Sequence, residues 1–225
     1  AAMNSTGGEE QTGTIAIGAS ALNALTSGGK NVAVGFESGK LIQTGERNTI
    51  LGHQAGIATV DVDSTVIIGN YAGAGVMTNA ASGTVAIGKS SLSALTSGAS
   101  NTAVGYQCLH ATDDGASNTA VGYDALSSNV GNENVAVGFE AGQDLTGGEN
   151  TFIGSRAGYN IAAVNGNVAV GRYALYTSTG AVDCIAIGRQ SMYSGNATQA
   201  GTVAIGKSAL TALTTGVGNV AVGFE

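Results

Sequence analysis

The chain has 225 residues and a formal net charge of −7, with 43% hydrophobic residues and only 10% charged ones. That acidity argues against binding nucleic acid by neutralising phosphates, no apolar run approaches the ~18 residues that cross a bilayer, and two cysteines make no disulfide framework. Glycine at 37 residues, with no proline and no tryptophan, also sets the composition apart from that of ordinary globular domains.

Residues 1–13 read as a lead-in, with neither the basic region nor the apolar stretch of a secretory signal. From residue 14 to residue 225 one unit of about 17 residues is written thirteen times. Its five-residue anchor runs Thr14 to Gly18, Asn31 to Gly35, Asn48 to Gly52, Thr65 to Gly69, Thr84 to Gly88, Asn101 to Gly105 and Asn118 to Gly122. It continues as Asn134 to Gly138, Asn150 to Gly154, Asn167 to Gly171, Cys184 to Gly188, Thr202 to Gly206 and Asn219 to Gly223. Successive anchor glycines lie 16 to 19 residues apart, and every insertion falls between anchors. Such regularity predicts an all-β parallel β-solenoid (a β-roll) of about thirteen coils, the last incomplete, because a unit this short cannot bury its apolar face alone.

Within the anchor, the fourth residue is aliphatic in all thirteen copies and β-branched in all but Leu51, which predicts an inward-facing strand position. The second residue (Val, Ile or Thr) shares that face by period-2 alternation. The third is Ala ten times, otherwise Ile50, Ile67 or Phe152. It points the other way, so the strand reads as buried on both faces, with the alanine face covered by its own coil or by neighbouring chains. Asn opens eight of the anchors and suits a hydrogen-bonded corner. A small residue stands three places after each complete copy's glycine, followed by Leu, Met or Gly.

Asn118-Thr-Ala-Val-Gly-Tyr-Asp-Ala-Leu126 resembles the Asn-Thr-Ala-Val-Gly-Tyr-x-Ala-Leu repeats of bacteriophage tail fibres. Thr84-Val-Ala-Ile-Gly88-Lys-Ser-Ser91 resembles the repeat of trimeric autotransporter adhesin heads, which are left-handed parallel β-rolls. The resemblance covers residues 14–225 and implies a homotrimer, an extracellular setting on a virion or cell surface, and attachment to a host or surface. The expected function is a structural and adhesive fibre segment; an adhesin head is the alternative, and a polysaccharide-degrading spike a more distant one.

Chemistry in a solenoid is sought as columns, since equivalent positions in adjacent coils lie ~5 Å apart. One place after the anchor glycine, Tyr106, Tyr123 and Phe139 form an aromatic column, and Arg172, Arg189 and Lys207 a basic one. Both are candidates for holding a cell-surface glycan, against the plainer readings of an aromatic ladder and a solvated edge. Two places after the glycine stand Asp124, Glu140 and Arg156. The first two have the spacing of a retaining glycosidase pair, but the third makes a charge ladder the better reading, so no enzyme is expected. Cys108 and Cys184 read as small packing residues, and His53 and His110 are too far apart to share a metal. Asp61, Asp63, Asp113 and Asp114 read as acidic loops, so neither a metal nor a cofactor is expected. An ice-binding threonine array is disfavoured because Thr49, Thr102, Thr119 and Thr151 alternate with Val and Ile.

Overall fold

Each anchor folds into a strand of three residues, its second to fourth positions, and then turns sharply. In the computed structural model, which describes residues 12–198 and 200–225, the chain divides into two compact units meeting in sequence at Ser117 and Asn118. Residues 1–11 of the lead-in lie outside the described residues. The first unit contains β1 (Ile15–Ile17), β2 (Val32–Val34), β3 (Thr49–Leu51), β4 (Val66–Ile68), β5 (Val85–Ile87) and β6 (Thr102–Val104). In the second, β7 (Thr119–Val121), β8 (Val135–Val137), β9 (Thr151–Ile153), β10 (Val168–Val170), β12 (Ile185–Ile187), β14 (Val203–Ile205) and β15 (Val220–Val222) are the anchor strands. Two further strands there, β11 (Thr177–Gly180) and β13 (Ser194–Thr198), pair in parallel in the return segments.

Within each unit neighbouring anchor strands are parallel and in unbroken register, as in Ile15↔Val32, Ala16↔Ala33 and Ile17↔Val34. Each unit is therefore a parallel β-solenoid, as the repeat predicts, and the chain has about twelve turns. A 3₁₀ turn at Asn79–Ala81 takes up the longest spacer, and there is no α-helix among the described residues. The strands stop at three residues because the anchor glycine leaves the extended region. Gly35 sits at φ +141°, and a Cβ there would lie 2.2 Å from the carbonyl oxygen of Gly52 in the next coil. No other residue fits that approach.

The structure reverses the expected parity of the strand. Ala33, Ala86, Ala103, Ala120, Ala136, Ala169, Ala186 and Ala204 are fully buried, and they form the core side. The β-branched second and fourth positions point outward: Val121 and Val137 are 37% exposed and Ile153 is 42% exposed. The strand is thus buried on one face only. The reason is the thinness of the coil. Its own return segment delivers Leu22, Leu25, Leu92, Leu95, Leu109, Leu126 and Leu175 into the interior, each essentially inaccessible to water. Large side chains from that segment leave room for only a methyl group from the strand.

The three exceptions to alanine show the same constraint from the other side. Ile50, Ile67 and Phe152 are fully buried, and in their own coils the residue four places after the anchor glycine is Gly56, Gly73 or Gly158 instead of Leu or Met. A Cβ on Gly158 would lie 2.8 Å from the Phe152 ring, and one on Gly142 would lie 3.0 Å from it. Gly39 and Gly142 accompany alanines but abut Ile50 and Phe152 of the next coil, so volume is exchanged between neighbouring coils as well as within one.

Asparagine at the head of the anchor forms a buried, hydrogen-bonded ladder. Asn31, Asn48, Asn101, Asn118, Asn134, Asn150 and Asn167 are all fully buried. The Asn48 Nδ2 donates to Asn31 Oδ1 at 3.0 Å and to the carbonyl of Val62 at 2.8 Å. The Asn48 Oδ1 in turn accepts from the main-chain N and the Oγ1 of Thr65, at 3.0 and 2.7 Å. Asn134, Asn150 and Asn167 repeat the pattern, which ends on the main-chain N of Cys184 at 3.0 Å.

The exchange of volume predicts a compensating pair. Phe152→Ala should cost roughly 3–5 kcal/mol by denaturant unfolding, as a large buried ring is removed. Gly158→Leu alone should also destabilise, because the ring blocks the site. In the double variant the new leucine takes the place that Leu126 and Leu175 hold at φ 49° and 50°. It should recover part of the loss, giving a favourable coupling between two mutations that are each harmful alone.

Candidate functional site

The turn after each anchor glycine is where the repeat tolerates any side chain, and it carries the candidate chemistry. The second residue of this turn is held in the left-handed region in coil after coil, for example Glu37 at φ 55°, Asp124 at 49°, Arg156 at 56° and Tyr173 at 60°. Side chains one and two places after the glycine consequently form columns on the surface.

In the first unit Phe36 stacks on His53 at 5.3 Å between ring centroids, and Tyr71 meets His53 edge-on at 5.9 Å. Asn70 Nδ2 lies 3.2 Å from His53 Nδ1. Glu37 pairs with Lys40 at 2.7 Å and accepts from Gln54 at 2.8 Å; these two hydrogen bonds hold its carboxyl below the usual range. Tyr106 carries the Lys89 ammonium over its ring, 5.6 Å from the centroid.

In the second unit Tyr123 and Phe139 stack at 5.3 Å, as the aromatic column predicts. Arg156 then lies over both Phe139 and Tyr159, at 5.5 and 5.4 Å from the centroids. Its Nε donates to Glu140 Oε2 at 2.5 Å. The carboxylate offered as one half of a glycosidase pair with Asp124 is therefore engaged by a guanidinium in the next coil, the arrangement of a charge ladder.

The basic column has no such partner. Arg172 lies over the Tyr173 ring at 4.6 Å and donates from Nη2 to its phenol oxygen at 3.2 Å. The Lys207 ammonium sits 4.3 Å from the Phe224 ring centre, and Arg189 is exposed. No carboxylate lies within 4.0 Å of Arg172, Arg189 or Lys207 among the described residues. Hydrogen bonds from Arg172 and then Arg156 favour the phenolate and lower the Tyr173 pKa.

A tyrosine ladder escaped the reading of columns beside the glycine. Tyr159, Tyr176 and Tyr193 stand five places after their anchor glycines, at intervals of 17 residues. They stack at 5.2 and 5.0 Å, with interplanar angles of 12° and 6°. Tyr173 meets Tyr176 and Tyr193 edge-on at 5.1 and 6.0 Å. Burial within the stack pushes the Tyr176 phenol upward. The equal spacing was visible in the sequence, but only to a search of the return segment.

Of the remaining acidic residues, Asp61 and Asp63 bond to the preceding coil through their side chains. Asp61 Oδ1 accepts from the main-chain N and the Oγ1 of Thr44, at 3.2 and 2.8 Å, and Asp63 Oδ1 accepts from the Glu46 N at 2.7 Å. The Asp113 main-chain carbonyl takes the Thr96 N–H at 2.8 Å, and Asp114 is exposed. Among the described residues no three His, Cys, Asp or Glu side chains converge as a metal site would require, His53 and His110 included. No helix there is long and apolar enough to cross a membrane. Thr49, Thr102, Thr119 and Thr151 lie on the outward face, interspersed with valine and isoleucine. Compared with family models, with curated proteins and with solved structures, the chain matches none.

Cys108 and Cys184 are fully buried thiols, with their Sγ atoms near the carbonyls of Val104 and Val182 at 3.4 and 3.5 Å. Burial raises the Cys184 thiol pKa and disfavours the reactive thiolate. In native buffer a thiol-specific chromogenic reagent should therefore label neither cysteine, and denaturant should release both.

Proposed function

We propose that this chain is a segment of an extracellular fibre, of the bacteriophage tail-fibre kind, that assembles as a homotrimer and mediates attachment to a host or surface. The outward face of the anchor strands carries this reading. In all thirteen coils its two positions are Val, Ile, Leu or Thr, with no charge anywhere. Contiguous apolar surface of this sort marks an interface in soluble proteins. Because the period is the same in every copy of the chain, identical faces meet coil for coil, which makes a second and third copy the natural cover.

Of the two covers expected for the alanine face, its own coil or neighbouring chains, the coil itself supplies the first, so assembly falls to the β-branched face. The architecture suits a load-bearing role. Each coil is fastened to its neighbours by backbone hydrogen bonds such as Val32 N to Asn48 O and Gly52 N to Val34 O, both 2.8 Å. Aliphatic rows between chains add cohesion without specificity, which leaves recognition to the turns.

Sedimentation velocity at micromolar concentration should report a trimer for the native chain. Val137→Lys combined with Val170→Lys places two charges on the outward face and should yield monomers with unchanged β-sheet circular dichroism. A native chain that sediments as a folded monomer would sink the oligomer.

A further inference from the structure

Four of the eight basic residues of this acidic chain, Arg156, Arg172, Arg189 and Lys207, stand in one stretch of the second unit. Arg156 is neutralised by Glu140, whereas the other three repeat once per coil with no carboxylate beside them. Like charges in register along a parallel sheet repel one another, so the column is set up to receive anions at the same spacing. Arg172 ties this column to the tyrosines, because Tyr173, which it covers, also lies edge-on against Tyr176 and Tyr193.

The ladder is informative about what kind of anion fits. Both faces of the Tyr176 ring are occupied, by Tyr159 on one side and Tyr193 on the other. Arg156 lies over Tyr159 at the near end of the stack, so neither Tyr176 nor Tyr159 offers a free platform to a nucleobase, which binds by its flat face. The stack offers ring edges and phenol hydroxyls instead. None of the hydroxyls of Tyr159, Tyr176 and Tyr193 bonds to another protein group among the described residues. They recur at the ring spacing of 5.0–5.2 Å, which is close to the advance per sugar along an extended, equatorially linked polysaccharide.

We propose that Tyr159, Tyr176 and Tyr193, with Arg172 and Arg189 alongside, bind an extended acidic polysaccharide carrying one carboxylate per sugar. The advance per sugar matches the coil spacing: in the coils of Arg172 with Tyr176 and of Arg189 with Tyr193 a sugar meets one phenol hydroxyl and one guanidinium, and Tyr159 extends the row of hydroxyls by one coil. Bidentate pairing of guanidinium with carboxylate supplies the attraction, and the hydroxyls set the register. This site deepens the attachment reading and rests on it for its setting, but not on the trimer.

Titration calorimetry of the full chain against a β-1,4-linked oligomannuronate tests it, with the β-1,4-linked oligomannose of the same length as a neutral control. A single-stranded oligothymidylate serves as the competing polyanion. Only the oligomannuronate should bind, and more weakly as salt rises. Arg172→Gln with Arg189→Gln should weaken binding roughly tenfold or more. The triple variant Tyr159→Phe, Tyr176→Phe, Tyr193→Phe keeps the stacked rings, guards against misfolding, and should lose a similar factor. Absence of oligomannuronate binding by the native chain would overturn the proposal. So would equal binding of oligomannose or oligothymidylate, or variants that bind like the native chain. The V137K and V170K monomer should still bind, so failure of the trimer and failure of the glycan site are separate outcomes.

Discussion

The buried asparagine at the head of each anchor holds two coils together at once. Its Nδ2 reaches a carbonyl of the following coil, as Asn31 does to Gly45 at 2.7 Å, and its Oδ1 accepts the main-chain N–H of the next anchor. Each such bond adds about 1 kcal/mol net, but an unmade one in this dry corner costs about 1–3 kcal/mol. That asymmetry fixes the coil spacing. Once it is fixed, every position of the repeat becomes a column, and each column must be satisfied along its length. Threonine can stand in the ladder, as Thr65 does with its hydroxyl on Asn48, and so can Cys184, whose main-chain N–H donates to Asn167 Oδ1 at 3.0 Å.

The second constraint is thickness. A coil of about 17 residues is thin: the strand's inward position and the position four places after the anchor glycine are never both large. Alanine stands with leucine or methionine in seven complete coils and phenylalanine or isoleucine with glycine in three; Ala33 with Gly39 and Ala136 with Gly142 leave room for Ile50 and Phe152 of the next coil. Interiors packed to crystal density allow this kind of exchange and penalise anything that alters the sum. Putting the small residue on the strand has a surface consequence. The β-branched side chains that favour an extended backbone are left outside, where they stiffen the strand and present an aliphatic face.

This is also where reading the sequence succeeded and failed. The repeat, its parallel stacking, the strand at each anchor and the role of the anchor glycine were legible, because periodicity and invariance encode them directly. The parity was not. Alternation shows that residues 32 and 34 share a face and that Ala33 has the other, but it cannot say which face is inside when both are apolar. Hydrophobic bulk pointed the wrong way. The coupled exchange of Ile50, Ile67 and Phe152 with Gly56, Gly73 and Gly158 held the answer, since residues that trade volume must touch. For the candidate site, the spacing of the anchors predicts columns at Tyr106, Tyr123 and Phe139 and at Arg172, Arg189 and Lys207, and Tyr123 stacks on Phe139 accordingly. The tyrosine ladder was missed because its residues lie in the return segment, where spacing and not motif is the signal.

A solenoid of this type concentrates individuality in the turn after the glycine. The strand is fixed by the ladder, the interior by volume, and the outward face by its uncharged run of Val, Ile, Leu and Thr. Only the turn varies freely, from Phe36 and His53 through Lys89 and Tyr106 to Arg172 and Arg189. Because each coil repeats the geometry, a substitution there never stands alone; its effect depends on the residues above and below it. Arg156 beside Glu140 forms a closed pair, while Arg172 beside Arg189 makes a column of one sign. Stacking turns a single residue choice into a linear pattern of charge or aromatic edges, and a linear pattern is best matched by a ligand that is itself a repeating polymer.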